Sequence, residues 1–317
     1  MRTSELLGLL FIVAVIGTVY GAEVVLAIRV IRSIIKGRRS PFPCSKYFII
    51  LHILAIVGIG CFFYGFIIEP KWIDITKVEL KTAKLKDIKL RIVLFSDTHC
   101  ETKPRNEEKL VEIINSFDPD IVVFTGDSIN TEAALPFFKK TLSLINARLG
   151  KFAVRGNFDC NRWGRLDLFS ETGFRELTAE TVKLEEEGET FCLAGFSTAF
   201  SGKFEAVLSK IPAESYNVLL YHYSDLAESL EDLNIDLYLS GHTHGGQVRL
   251  PFYGALITLS RFGKKYEAGI YTIGPTTLYV NRGIGLESKP APQVRFLCRP
   301  EITVFDVIPL NKDKEQR

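Results

Sequence analysis

The sequence contains little cysteine, almost no net charge and no evident internal repeat or low-complexity tract. Its six cysteines are scattered over 317 residues without a CxxC pair, so we expect mostly free thiols and no disulfide scaffold. The 39 basic and 37 acidic residues leave a net charge of +2 without a concentrated basic stripe, which argues against a nucleic-acid partner. The length suits one domain of about 250 residues plus an accessory segment better than two equal domains.

Apolar residues, 47% of the chain, accumulate in the first 70 positions. Residues 6–22 carry no charge, and neither do residues 47–68, which as a helix at about 1.5 Å per residue would cross a bilayer. A cleaved signal peptide is disfavoured because only Arg2 precedes the first run and a second full-length span follows. Two buried helices of a soluble protein are the other alternative. We predict a transmembrane hairpin anchor over residues 1–70, in the cell inner membrane among membrane lipids, and a second domain over residues 71–317.

The charges beside the two runs leave open which side of the membrane the second domain occupies. The connecting loop carries five basic residues and no acid, which favours a cytoplasmic loop, but five lysines also follow the second run. The two sets are Arg32, Lys36, Arg38, Arg39 and Lys46 in the loop, and Lys71, Lys77, Lys81, Lys84 and Lys86 after the second run.

From about residue 71 the pattern changes to short apolar runs of strand length, each ending at a polar or glycine-containing turn. Amphipathic stretches over residues 107–117, 135–149 and 225–233 predict helices between several of them. This alternation is typical of a layered α/β domain with chemistry at the carboxyl ends of its strands. The predicted strands with polar ends are residues 90–95, 121–124, 152–154, 218–221 and 237–239, and further β-runs begin near residues 247, 269, 276 and 301.

Four of the five histidines follow predicted strands, together with two aspartates and an asparagine. The fifth, His52, lies in the second apolar run and is predicted to be a tolerated polar group. One histidine after a strand is more often structural than a ligand, but the joint occurrence of seven such residues predicts a shared site. They are Asp97, His99, Asp127, Asn157, His222, His242 and His244.

Imidazole, carboxylate and amide ligands of this kind suit a pair of divalent cations. Two ions about 3.5–4 Å apart lower the pKa of a bound water and neutralise phosphoryl oxygens, as hydrolysis of a phosphate near neutral pH requires. One carboxylate has to bridge the pair. The mixed nitrogen and oxygen donors favour Mn, Fe or Zn over Ca, with Mn as the first expectation.

The order of these residues resembles the calcineurin-like metallophosphoesterase superfamily. The blocks are D-x-H from Asp97, G-D from Gly126, G-N-x-D from Gly156, a single His222 and G-H-x-H from Gly241. No block is specific alone, but five in order after predicted strands are strong evidence. The resemblance implies a four-layer α/β/β/α sandwich and a metal-dependent phosphoric ester or anhydride hydrolase over most of residues 71–308.

The resemblance also implies a role for each position. By that likeness the first ion is held by Asp97, His99 and His244, the second by Asn157, His222 and His242, and Asp127 bridges them. The expected catalytic residues are Asp127, Asn157, Asp159 and His242, with Asp159 orienting a ligand or a substrate group. Asp159 capping the following turn, and Asn157 holding a turn conformation, are the simpler alternatives.

The chain departs from the family pattern after Asn157, where Phe158 replaces a histidine that acts on the leaving group or the transition state. A positioned acid contributes roughly 10²–10⁴-fold, and its absence matters least when the leaving group is a weak base. A phosphoanhydride or an activated diester meets that condition, whereas an alkyl monoester does not. Another group taking over, such as Arg155 or Arg282, is one alternative, and lost activity is another.

Residues 241–251, with the later NRGIG and RPEIT runs, resemble the membrane-associated YaeI/YkuE-like branch. That branch is similar to the membrane-bound UDP-2,3-diacylglucosamine pyrophosphatases of lipid A synthesis, which implies cleavage of a nucleotide-lipid to UMP and a lipid phosphate. This substrate is made on the cytoplasmic face, against the side that the loop charges favour. A general phosphodiesterase or phosphatase on a phospholipid or cell-envelope phosphate, and a catalytically silent membrane scaffold, are the alternatives. The candidate substrate residues are Arg155, Phe158 and Arg282, with Arg162, Trp163 and Arg249 as further basic or apolar positions.

Overall fold

The structure, a computed structural model, describes residues 3–37, 46–200, 202, 204–230, 233–287 and 292–310. Arg38 and Arg39 of the basic loop, Cys44, and part of the helix predicted over residues 225–233 lie outside these ranges. The five described cysteines are free thiols, as predicted.

The two apolar runs form an antiparallel pair of helices, α1 (Thr3–Ile35) and α2 (Lys46–Phe63). The Tyr20 hydroxyl donates to the Ala55 carbonyl at 3.0 Å, and the Glu23 carboxylate lies 2.8 Å from His52 Nδ1. Partner numbers fall along α2 as they rise along α1, which defines a hairpin. His52 is therefore half of a polar pair between the helices and not merely a tolerated group.

Both helices are long and apolar enough to cross a membrane, and most of their surface is exposed. Only 6% of the most apolar stretch of α1 and 11% of that of α2 is buried in the protein. A core helix of a soluble protein would be mostly buried, so these faces fit contact with lipid. After α2 the chain continues through a π-helical turn (Tyr64–Ile68) and a 3-10 turn (Glu69–Lys71).

The end of this segment is bound to the second domain. The Gly65 carbonyl accepts a hydrogen bond from the Arg295 amide at 3.0 Å. The buried Glu69 carboxylate accepts the amides of Leu297, at 2.8 Å, and Cys298. The domain is thus held directly against the ends of the helices.

Fourteen strands lie within the described ranges. In chain order they are β1 (Asp74–Thr82), β2 (Leu90–Phe95), β3 (Ile121–Phe124), β4 (Gly150–Ala153), β5 (Phe174–Glu176), β6 (Ala179–Glu186), β7 (Glu189–Phe196), β8 (Tyr216–Tyr221), β9 (Leu237–Ser240), β10 (Arg249–Leu250), β11 (Gly254–Ala255), β12 (Gly269–Ile273), β13 (Thr276–Val280) and β14 (Glu301–Pro309).

Twelve of these strands form two six-stranded mixed sheets, in the orders β1-β14-β2-β3-β4-β5 and β12-β13-β9-β8-β7-β6. Strands β2 to β5 run parallel to one another, as do β13, β9, β8 and β7. Parallel neighbours end at the same edge of a sheet, so the turns after β2, β3 and β4 lie together, as do those after β8 and β9. The remaining two strands, β10 and β11, pair as a short hairpin.

Side chains alternate across each sheet and so build three apolar layers. Ile92 and Leu94 of β2 point into the core between the sheets, whereas Val93 and Phe95 point to the outer face. Helices α3 (Glu107–Ser116) and α4 (Leu135–Ser143) cover that outer face. The short helix α6 (Phe204–Leu208) packs on the outer face of the second sheet, with the turn Ala227–Ser229. The predicted four-layer α/β/β/α sandwich is confirmed.

Two helix predictions need correction. The helix predicted over residues 135–149 ends at Ser143, because the Asn115 side chain binds the Leu144 carbonyl at 2.9 Å and the Asn146 amide at 2.8 Å in place of helical partners. In the described part of residues 225–233 only the 3-10 turn Ala227–Ser229 forms. Strands β1, β5, β6 and β7 were not predicted.

Candidate metal centre

The seven predicted ligands all lie where strands of the two sheets end. Asp97 and His99 follow β2, Asp127 follows β3, and Asn157 begins α5 (Asn157–Trp163) after β4. On the facing sheet, His222 follows β8, and His242 and His244 follow β9. The shared edge of the parallel strands therefore collects residues that are up to 147 positions apart in the chain (244 minus 97).

The side chains form two adjacent groups. In the first, Asp97, His99 and His244 each offer a ligand atom within 4.8 Å of the others; in the second, Asp127, His222 and His242 do the same. Asp127 Oδ2 lies 3.3 Å from His222 Nε2 and 3.7 Å from His99 Nε2, which places this carboxylate between the two groups. Asn157 Oδ1 joins the second group, 3.0 Å from His222 Nε2.

Two buried ring nitrogens indicate that these groups fit cations. Among the described residues, neither His99 Nε2 nor His244 Nε2 has a hydrogen-bond partner. An unsatisfied buried polar group costs about 1–3 kcal/mol, so a ligand is its expected explanation. Four imidazoles, two carboxylates and one amide oxygen are a donor set for Mn, Fe or Zn. The residues fit a dinuclear site, and the individual ligand assignments stay predictions.

The backbone at five of the seven residues is strained. Asp97, His99, Asp127, His242 and His244 have φ values of 49°, 40°, 60°, 72° and 49°. Non-glycine residues in this region cost on the order of 1–3 kcal/mol each, and such strain clusters at functional sites. The packing of the strands on either side holds these turns in the strained conformation.

Glycines of the motifs allow the backbones to approach each other. A Cβ on Gly156 would lie 2.1 Å from Asp127 Oδ1, and a Cβ on Gly241 would lie 2.3 Å from Asp97 Oδ2. Any larger residue would displace the carboxylates. Gly156 and Gly241 are thus required by the position of a ligand from another block.

Asp159 holds the Asp127 turn from behind. Its carboxylate accepts the amides of Asp127 at 2.8 Å, Ser128 at 2.8 Å and Gly156 at 3.1 Å. Burial raises the pKa of Asp159 to about 6, and the nearby Asp127 adds to the rise. Because all these contacts are to backbone, the structure gives Asp159 a positioning role, and it also caps α5. These contacts fit both the orienting role and the capping role considered from the sequence, and a catalytic role of Asp159 stays a prediction.

In the second group, the negative charge lies on Asp127 and the positive charge on His222. Burial alone raises the pKa of Asp127, but His222 and His99 hold it well below its ordinary value. Burial lowers the pKa of His222, yet Asp127 outweighs this effect and raises it to about 10. Burial, with His222 beside it, lowers the pKa of His242 to about 4. A positive charge is therefore favoured next to Asp127, and a divalent cation would satisfy the same demand.

Sequence reasoning missed three groups that lie beside the imidazoles. Asn130 Oδ1 lies 2.8 Å from His99 Nδ1, and the Thr125 carbonyl lies 2.7 Å from His222 Nδ1. The buried Arg295 guanidinium lies 3.5 Å from His244 Nδ1 and donates to the carbonyls of residues 282, 283, 285 and 298. Asn130 Oδ1 and the Thr125 carbonyl can accept a ring N–H and so fix the orientation of His99 and His222, whereas Arg295 is held by the carbonyls it donates to. Asn130 could have been found from the sequence, because it lies three residues after Asp127 in the same strand-end turn. The positions of the Thr125 carbonyl and Arg295 beside the imidazoles are set only by the tertiary fold.

The two predicted substrate arginines are engaged inside the protein. Arg155 forms a two-point ion pair with Glu176, at 2.7 and 3.2 Å, and donates to two backbone carbonyls. Arg282 binds Asp74 Oδ2 at 2.9 Å and Glu301 Oε1 at 3.0 Å. Their donors hold the fold and are not left available for a phosphate.

Phe158 stands at the sequence position of the family histidine, and Arg162 packs against its ring. The Phe158 ring is buried, with its centroid 5.3 Å from that of His99. The exposed Arg162 lies one helical turn later, and its guanidinium carbon is 4.7 Å from the Phe158 ring centroid. The other two positions are engaged elsewhere: Trp163 donates to the Ile129 carbonyl at 2.8 Å and Arg249 binds Glu267 at 2.7 Å.

Comparisons with known proteins agree with this geometry. The sequence profile of the calcineurin-like phosphoesterases matches residues 90–246. The chain is 35% identical over 269 residues to YkuE of Bacillus subtilis, an uncharacterized metallophosphoesterase, covering 79% of this chain and 91% of that protein. It is 27% identical over 252 residues to the phosphodiesterase YaeI of Escherichia coli, covering 76% and 90%. A transmembrane protein with a metallophosphoesterase domain from Danio rerio is 29% identical over 257 residues, covering 74% and 56%.

Proposed function

The chain belongs to the calcineurin-like metallophosphoesterase family, and on this premise we propose an inner-membrane enzyme that hydrolyses the pyrophosphate of a nucleotide-lipid, such as UDP-2,3-diacylglucosamine, to UMP and a lipid phosphate. The coarser activity, metal-dependent hydrolysis of phosphoric esters, follows from the family. We propose two Mn ions as cofactors, with Fe or Zn as alternatives.

The two adjacent groups of ligands, with Asp127 between them, are the observation that carries the proposal. Divalent ions bound there would supply charge neutralisation for phosphoryl oxygens and activation of water. The chain's own contribution is to hold the donors in place before substrate arrives. Strand ends set their positions, and hydrogen bonds from the surrounding turns set their orientation.

The nature of the leaving group follows from Phe158. Its ring fills the space beside His99 and offers no proton, so a leaving group there gains no acid from this position. UMP leaves an anhydride as a weak base and needs little protonation, unlike an alkoxide. This supports an anhydride substrate over a simple alkyl monoester.

We propose Arg162 as the cation that contacts the substrate phosphate on this side. Within the described part of the chain it stacks on Phe158 and forms no ion pair, so its donors are available. An arginine binds phosphate oxygens with two parallel donors, which suits a nucleotide anhydride. Arg162 takes the place of Arg155 and Arg282 in the proposed substrate site.

A phosphodiesterase acting on a phospholipid or a cell-envelope phosphate is the second candidate. The likeness to YaeI, which is named a phosphodiesterase, favours it. The same metal centre suits hydrolysis of an anhydride and of a diester. The two candidates are therefore distinguished by which substrate the protein hydrolyses. A silent scaffold is the third candidate, although the donor set is complete.

The test uses the full-length protein in detergent with MnCl₂. We expect UMP from UDP-2,3-diacylglucosamine, no comparable release from UDP-glucose, and no UMP with the Asp127→Ala variant. Hydrolysis of bis-p-nitrophenyl phosphate without UMP formation would overturn the anhydride substrate and favour the phosphodiesterase. If no phosphate compound is hydrolysed with Mn, Fe, Zn or Co, the catalytically silent scaffold is the remaining candidate.

A further inference from the structure

A cavity of about 320 Å³ lies between the metal centre and the first transmembrane helix; we call it the membrane-facing cavity. This volume is at the lower end of the roughly 300–1,000 Å³ of small-molecule sites, enough for a segment of a ligand. Its lining is mainly apolar, and among its described lining residues there is no lysine or arginine. The residues that matter here are His242 and His244 from the metal centre, Leu9 from α1, and Leu256, Ile257 and Val294.

The α1 wall of this cavity is fixed in place. The Glu5 side chain is buried and accepts hydrogen bonds from the Thr258 amide at 3.2 Å and the Thr258 hydroxyl at 3.0 Å. One turn later, Gly8 packs so closely that an added Cβ would lie 3.2 Å from the Tyr253 hydroxyl. Helix α1, most of whose apolar residues are exposed, therefore presents Leu9 to the catalytic domain.

The surface around the cavity is suited to the edge of a bilayer. Phe252 is fully exposed at the tip of the β10–β11 hairpin, and Leu259 and Leu297 are also exposed. Phe252 and Leu259 are next to Tyr253 and Thr258, which contact α1, and the Leu297 amide binds Glu69 in the turn after α2. Exposed apolar side chains grouped in this way mark contact with a membrane or a partner.

We propose that the membrane-facing cavity receives the apolar tail of a membrane lipid phosphate, so that α1 is a wall of the substrate site as well as an anchor. The proposal rests on the hydrolase function above and deepens it. The phosphate would lie at the metal centre while the tail extends past His242 and His244, between Leu9 and the wall at Ile257. Because the described lining residues include no lysine or arginine and are mainly apolar, an apolar chain matches them better than the charged part of a soluble nucleotide.

Two substrates that differ only in their tail provide the test: methyl and dodecyl p-nitrophenyl phosphate, with p-nitrophenol release measured on the full-length protein in detergent. We expect the wild type to prefer the dodecyl ester, and Leu9→Trp, which fills the cavity, to lower kcat/KM for that ester by about tenfold or more. Hydrolysis of the methyl ester should stay unchanged. Leu10→Trp is the matched control, since Leu10 is the next residue, 54% exposed, and does not line the cavity.

Ile257→Trp fills the same cavity from the domain side and should reproduce the loss without touching α1. The idea fails if both esters lose activity equally in the two variants, which indicates a packing role, or if neither loses activity. Equal turnover of the two esters by the wild type would overturn it as well while leaving the hydrolase function intact. If neither ester is hydrolysed with any metal, the hydrolase function itself fails, and the inference with it.

Discussion

The metal centre and the membrane-facing cavity share His242 and His244 but are built in opposite ways. Every candidate ligand follows a strand of the two sheets, in a turn held by backbone hydrogen bonds and motif glycines. The cavity is lined instead by the apolar helix α1 and by residues near 256 and 294, outside both large sheets. Rigid strand ends suit chemistry that needs fixed geometry, whereas loops and added helices suit the choice of substrate.

The comparison predicts different consequences for changes in the two regions. A change at the metal centre should affect every substrate equally. A change at the cavity or at the bilayer edge should affect only substrates with an apolar tail. The following predictions run from the largest expected effect to the smallest.

Asp127→Asn should abolish hydrolysis of both the methyl and the dodecyl ester, by at least about 10³-fold, because the carboxylate between the two ligand groups is lost. Metal analysis of the purified variant should show less than the two ions per chain expected for the wild type. Asp167→Asn, at an exposed surface aspartate, is the control and should keep full activity. If the variant lost activity with only one of the two esters, the proposed division of roles between the metal centre and the membrane-facing cavity would be wrong.

Removing metal with EDTA should lower the midpoint of thermal unfolding as well as the activity. Bound ions would satisfy the ring nitrogens that lack a partner, and a ligand at 100 times its Kd stabilises by about 2.7 kcal/mol. Adding Mn should restore both quantities. The Leu9→Trp variant should show the same shift as the wild type, and an unchanged midpoint in the wild type would argue against resident metals.

Arg162→Ala should lower kcat/KM for both esters by about tenfold, because a phosphate contact near the metal centre is lost. Metal content should not change. Arg162→Lys should recover part of the loss, and Arg165→Ala, at a nearby exposed arginine, should have no effect. If Arg162→Ala keeps full kcat/KM, the proposed phosphate contact is wrong.

Phe252→Ser should have the smallest effect, a decrease of roughly two- to threefold for the dodecyl ester presented in phosphatidylcholine vesicles. The side chain is exposed at a hairpin tip, so its loss removes contact with the bilayer edge and little packing. The methyl ester should be cleaved at the wild-type rate. A similar decrease with the methyl ester would place Phe252 in the catalytic machinery and not at the membrane.

Much of the metal centre could be predicted because each of its parts is local in sequence. The strands over residues 90–95 and 121–124 were predicted with the observed bounds, since continuous apolar runs of that length ending at Ser96 and Thr125 are typical of buried parallel strands. Strands β1 and β6 were missed because they alternate between half-buried and exposed residues rich in lysine and glutamate, without a continuous apolar run.

The sequence by itself determined the family, the order of the ligand blocks and the two apolar spans, because each is written in consecutive residues. Only the tertiary structure decided which side chains are available. Arg155 and Arg282 form ion pairs with Glu176 and Glu301, whereas Arg162 stacks on the Phe158 ring. Only the tertiary structure also brought Glu5 to Thr258, 253 positions away, and so placed the apolar helix α1 beside the metal centre. Contacts across such distances depend on how sheets and helices pack, and no local pattern records them.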